Sequence, residues 1–155
     1  MSTRDIFTRR HSTPLTMIDP NPVIGLAISP FEENLAFLQR MFNDAGWTLF
    51  TARTCREAKA ELKRDGLAVV ICERYLIDGN WRHVLNGLAP ILNPPRLMVV
   101  SPLADDELWT EVLNMGGFDL LSTPLREVEV GYSVGSAWLD WMEERRHQHE
   151  YSRSI

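Results

Sequence analysis

Residues 67–73 read LAVVICE, an apolar run that stops on a glutamate and leads through Arg74 toward Ile77, Asp78 and Gly79. A carboxylate at the end of a buried strand does chemistry, replaces a group that did, or faces water. Other apolar runs end on residues that could join it: VIGLAI on Ser29 and Pro30, RLMVV on Ser101, and FDLLS on Thr123 and Pro124. Asp78 is a second carboxylate nearby, but an Asp-Gly pair between strand and helix is turn chemistry. Asp78 is expected to cap the segment that follows it and Gly79 to take a positive φ.

Other reactive side chains form no constellation. Cys55 and Cys72 lie in a predicted helix and a predicted strand without a CxxC, so both are expected as reduced thiols of a cytosolic protein. Cys72 is expected as a packed strand residue, because the neighbouring carboxylate raises a thiol's pKa. His11, His83, His147 and His149 are scattered, and the one close pair, at i and i+2, does not share a helix face. No metal or cofactor is predicted. GxxxxGK[ST], GxGxxG and GxSxG are all absent, so nucleotide hydrolysis, dinucleotide binding and α/β-hydrolase chemistry lack their local machinery and the chain is not expected to be an enzyme.

The elements that must position these residues follow from the apolar pattern. A chain of 155 residues, 45% hydrophobic and 24% charged, suits one globular domain with tails. Its formal charge of −5 argues against phosphate-backbone binding, so no direct nucleic-acid contact is expected. No stretch is apolar enough for a signal segment or a membrane span. Residues 1–21 mix Thr, Ser, Arg, Asp and Pro without a period and are expected as a flexible leader; the domain is expected over 22–147 and a polar tail over 148–155.

VIGLAI (23–28) reads as a strand covered on both faces. SPFEENLAFLQRMFNDAG reads as a helix, with Ser29 capping, Pro30 at the first position, Glu32 closing an S-x-x-E box, and Leu35, Leu38, Phe42 and Ala45 inward. WTLFTA (47–52) is the second strand, and a second box, Thr54 to Glu57, opens the second helix. LAVVIC, a short helix limited by Pro90, RLMVVS (96–101), a helix from Asp105 to Met115 with Leu108, Val112 and Met115 inward, FDLLS (118–122), and a helix from Pro124 toward His147 complete the series. Alternating strands and helices imply an α/β doubly wound, five-stranded parallel sheet with helices on both faces. Ligands of such sheets sit beyond the strand carboxyl ends, the edge that would gather Ser29, Pro30, Glu73, Ser101 and Thr123.

Five such units ending in S101…GGFDLLSTPL resemble the receiver domain of bacterial two-component response regulators, CheY-like, over roughly residues 22–147. The resemblance implies the flavodoxin-like strand order 2-1-3-4-5 and a phosphoacceptor site. In that family paired acids end the first strand, the phosphorylated aspartate ends the third, Thr or Ser ends the fourth, and Lys-Pro follows the fifth. Here those positions carry Ser29-Pro30, Glu73, Ser101 and Thr123-Pro124. The hydroxyl and the proline are kept; the twin acids, the aspartate and the lysine are not.

Magnesium in phosphoryl transfer wants several oxygen ligands, including carboxylates, and Glu73 alone supplies few. Its extra methylene carries the carboxylate about 1.5 Å beyond an aspartate's, and errors of that order can cost about a hundredfold in rate. The expectation is a phosphorylation-independent interaction module of signal transduction or transcriptional control. Glu73 then either mimics a phosphorylated aspartate or is a solvated relic. The alternatives are an active phosphorelay receiver phosphorylated at Glu73 or Asp78, and a flavodoxin-like small-ligand binder. Ser101 is expected chiefly to cap its own loop.

Trp109 lies about 100° off the inward stripe of its helix, which suggests an interface. Trp109 and Leu113 on the fourth helix, with Trp138 and Trp141 on the last, are expected to bind a protein partner or a second copy across the helix 4, strand 5, helix 5 face, where receivers meet partners. EERRHQHEYSRSI is too short to fold alone, so output is expected through association or from a region outside this sequence.

Overall fold

In the runs predicted as buried strands, consecutive apolar side chains must leave on opposite faces, so each strand needs a layer of helices on either side. The computed structural model, which describes residues 22–154, has that arrangement. In chain order it contains β1 (Ile24–Ile28), α1 (Glu32–Ala45), β2 (Thr48–Ala52), α2 (Cys55–Glu61), β3 (Val69–Glu73), β4 (Tyr75–Leu76), β5 (Gly79–Asn80), α3 (Trp81–Leu88), β6 (Arg96–Ser101), α4 (Asp106–Asn114), β7 (Asp119–Ser122) and α5 (Glu127–Ser154). The main sheet is parallel in the order β2-β1-β3-β6-β7, the expected 2-1-3-4-5 when the small β4–β5 hairpin is set aside.

Alternate residues of each strand feed two cores. Ala27, Val69, Ile71, Met98 and Val100 pack with Leu38 and Phe42 of α1 and with Val130, Val134 and Trp141 of α5. Leu26, Val70, Cys72, Leu97 and Val99 pack with Ala58 of α2, Trp81 and Val84 of α3, and Leu108 and Val112 of α4. Close approach of α1 to the sheet depends on Gly25, where a Cβ would stand 2.8 Å from the Phe42 ring and 2.9 Å from Val69.

Several local expectations are corrected. The first helix begins at Glu32 after an extended Phe31 with no side-chain cap, so Ser29 is not its cap and Pro30 precedes the helix. The Ser29 hydroxyl instead accepts the Phe31 N–H at 3.0 Å, fixing the turn that leads into α1. Asp78 caps no following segment: its two carboxylate oxygens accept the Cys55 and Arg56 N–H groups at 2.8 and 3.0 Å, closing the N-terminus of α2 from across the sheet edge. Asn80 caps α3 in its place, accepting the Arg82 N–H at 2.9 Å, while His83 Nδ1 accepts the Asn80 N–H at 3.1 Å. Gly79 is not among the residues with positive φ. Ala45 and Met115, expected inward, are exposed.

The last helix starts at Glu127 and continues through Ser154, so residues 148–154 are helical where a polar tail was expected. Beyond Ser136 the segment holds no Gly or Pro to stop it, and its lower half is pinned. Arg96 reaches Asp140 at 2.7 Å and Glu144 at 2.5 Å, and the Trp141 indole N–H donates to the Asn93 carbonyl at 3.2 Å. The leader expected over residues 1–21 lies outside the described residues. Among the described residues no helix is long and apolar enough to cross a membrane.

Candidate functional site

Register decides what stands beside Glu73. Ile28 pairs with Cys72 in the parallel β1–β3 ladder, so Ser29 and Glu73, one residue on, come out together at the carboxyl edge. Glu73 continues the alternation of Val69 and Ile71, which points its side chain to the α1 side of the sheet. It is buried, at 4% exposure, and Oε1 accepts both the Ser29 hydroxyl at 3.2 Å and the Asn34 amide N–H at 2.6 Å. Ser29 is buried as well, and Pro30 half-buried. The carboxylate is therefore neither solvated nor in reach of a cation; among the described residues no lysine or arginine pairs with it.

Burial pushes the Glu73 carboxyl above the usual carboxylate range, and the bonds from Asn34 and Ser29 partly oppose that rise. Asn34 is the residue that sequence reasoning missed. Its signal was present: Asn34, Leu38 and Met41 share one face of α1, so the inward stripe begins with a polar side chain that must find a partner.

The other positions of the edge are less closely joined. The buried Ser101 hydroxyl accepts the Leu103 N–H at 3.1 Å, the loop-capping role expected of it. Thr123 is half-buried and its N–H donates to the Ser101 carbonyl at 3.3 Å, while Pro124, after a cis bond, is exposed. Asp78 is held by the α2 N–H groups, which depress its carboxyl below the ordinary range. Cys72 is buried and its thiol pushed far up, first by that burial; Cys55 is raised by burial and then by Asp78. Neither thiol is poised as a nucleophile.

The magnesium ion implied by the receiver resemblance does not fit these residues. The groups that bond Glu73 are an amide N–H and a hydroxyl that donate to it, and among the described residues no second carboxylate joins it in a metal-holding cluster. Among the described residues no cluster of three or more His, Cys, Asp or Glu could hold a metal ion. Two open clefts, of about 530 Å³ beside α1 and β2 and about 270 Å³ at the opposite end of the sheet near Trp141, are not lined by Glu73.

The expected interface divides. Trp109 and Leu113 are one turn apart on α4 and each 42% exposed, as an interface requires. Trp141 is corrected: at 6% exposure it belongs to the core, because the inner stripe of α5 runs Val130, Val134, Ala137, Trp141. Trp138 is half-buried against the same core.

No family model matches the sequence, and no curated protein matches it at a significant level. Solved structures do match. The signal receiver domain of an HD domain-containing protein from Pseudomonas fluorescens Pf-5 aligns with a TM-score of 0.72 and 21% identity, over 81% of this chain and 93% of that one. The receiver domain of a LuxO repressor homologue from Vibrio parahaemolyticus gives 0.70 and 19%, over 80% and 95%. The beryllofluoride-activated NtrC4 receiver domain dimer gives 0.70 and 16%, over 76% and 98%. Strand order, helix placement and these neighbours agree: the chain has the fold of the CheY-like response-regulator receiver domain.

Proposed function

We propose that this chain is a receiver-like protein-interaction module of signal transduction or transcriptional control, a binding rather than a catalytic protein, that works without being phosphorylated. The observation that carries the reading is the Glu73 carboxylate, buried and already bonded to Ser29 and Asn34. A fixed carboxylate stands where the resemblance puts a transient phosphoryl group, and neutral donors stand where that chemistry needs a cation. The Asp78 alternative is weakened by its commitment to the α2 N-terminus. Incubating the protein with acetyl phosphate and magnesium and weighing it intact is expected to show no added phosphoryl mass. Metal-dependent labelling of Glu73 or Asp78 would overturn the reading and favour an active receiver.

The partner surface in this proposal is the α4, β7, α5 side, where Trp109 and Leu113 stand free of the core. Exposed tryptophan is the residue type that dominates protein contacts. That one fold neighbour is a receiver dimer is consistent with association through such a domain. Immobilised protein is expected to retain a partner from source lysate, and Trp109→Glu to lose it. Equal capture by wild type and variant would remove this face from the proposal.

A further inference from the structure

With Val130, Val134, Ala137 and Trp141 turned to the sheet, the opposite side of α5 is largely exposed among the described residues, yet it is not polar. Val128 is 85% exposed, Tyr132 79% and Leu139 62%; Gly135 is half-exposed between them, and Met142, which packs partly on the core, is half-exposed after them. Residues 128, 132, 135, 139 and 142 advance by alternating steps of four and three, the 3.5-residue seam by which helices pair.

Gly135 is the telling member. Glycine inside a helix weakens it relative to alanine, so its presence calls for a close approach that a Cβ would block. Among the described residues nothing supplies one: a Cβ at Gly135 would have no atom within 4 Å, whereas at Gly131 it would meet Met41 at 3.8 Å. The close approach is left to a partner outside the described fold.

We infer that α5 pairs with α5 of a second copy, the two helices running antiparallel and crossing at Gly135. The seam is self-complementary in this sense. Val128 and Met142 each lie seven residues from Gly135, and Tyr132 and Leu139 lie three and four residues from it on either side. A two-fold axis at Gly135 therefore sets Val128 against Met142 and Tyr132 against Leu139. A parallel pair is disfavoured, because the same spacing continues through Arg146, His149 and Arg153 and would stack like residues, arginine on arginine, along the seam. Crossing at Gly135 leaves those cations outside the contact. The surface is distinct from the Trp109 side of α4, and the inference is independent of the chemistry at Glu73. From Val128 to Met142 the helix runs about 21 Å, so the contact is small and the dimer is expected to be reversible.

Sedimentation velocity of the full chain over a concentration series tests this. Wild type is expected to show a monomer–dimer equilibrium. Leu139→Glu and Gly135→Leu are each expected to weaken it by about tenfold or more. Both side chains sit in open space, so the fold should persist, and Gly135→Leu should melt no lower than wild type. Trp109→Glu should leave the equilibrium unchanged. In an oxidised equimolar mixture, Tyr132→Cys is expected to cross-link to Leu139→Cys in preference to itself. A monomer at every concentration, a dimer indifferent to both α5 variants, a dimer lost with Trp109→Glu, or a Tyr132→Cys chain that links chiefly to its own kind would each overturn the antiparallel pair.

Discussion

Asn34→Leu is expected to destabilise the folded chain by roughly 2–3 kcal/mol at neutral pH, the range for losing a hydrogen bond to a buried charge. Leucine suits the helix, so α1 itself is not weakened. What fails is Glu73, whose shorter bond, 2.6 Å from Asn34, disappears and leaves the Ser29 hydroxyl at 3.2 Å. The pH dependence carries the sign. Burial raises the Glu73 carboxyl above its unfolded value, so its contribution is fully present at low pH and is lost as pH rises through the folded pKa. Removing the Asn34 bond, which holds that pKa down, raises it further and extends the loss. The gap between wild type and Asn34→Leu should therefore widen as pH rises and narrow on acidification.

Glu73→Gln is the matching control. Both bonds converge on Oε1, so an amide oxygen in that place accepts both while the buried charge is gone. This variant is expected to exceed wild type in stability at neutral pH, the advantage fading as acid neutralises wild-type Glu73. Urea unfolding of the three proteins at neutral and mildly acidic pH measures these differences. A cost for Asn34→Leu that is equal at both pH values, or a Glu73→Gln protein less stable than wild type at neutral pH, would sink the account of a buried, charged carboxylate held by Asn34.

Trp81→Ala is expected to cost about 3–5 kcal/mol, a large part of the stability of a domain this size. Trp81 is 1% exposed and fills the core between α3 and the sheet. It also ends the loop that leaves Glu73. Its N–H donates to the Arg74 carbonyl at 3.1 Å, and between them β4 and β5 pair Tyr75 with Asn80 and Leu76 with Gly79. The cavity left by the indole would open in the core cluster that also takes Leu76 of that segment. Chemical denaturation, with hydrogen exchange of residues 74–81 as a local readout, checks the prediction. A loss below about 1 kcal/mol would mean that the site collapses around the gap, or that Trp81 is not packed as described.

Short-range regularities account for what could be read in advance. Apolar runs of strand length, the box at Thr54 and Glu57, and Gly46 after α1 specify elements through contacts a few residues apart. Thr54 does accept the Glu57 N–H at 3.0 Å, and Gly46 does take φ 74° at the end of α1. Strict alternation of these elements then leaves few ways to build a parallel sheet, and the receiver resemblance implied its strand order. Ser29 and Glu73 could be placed on one edge by the same argument.

Partner choice over long separations could not be read, because periodicity carries no information about which element lies opposite. Glu73 meets Asn34 across 39 residues, and Asp78 meets Cys55 across 23. Local turn chemistry therefore assigned Asp78 to the wrong helix. The same limit governed the tryptophans: the helical period set Trp109 outside the inward stripe of α4, but only the packing of α5 on the sheet showed that Trp141 is buried. The amino-acid sequence by itself determined the layers and the edge at which the carboxylate stands. Tertiary structure alone decided that this carboxylate is dry and held by an amide and a hydroxyl, since burial and its bonding partners are properties of elements brought together, not of any one of them.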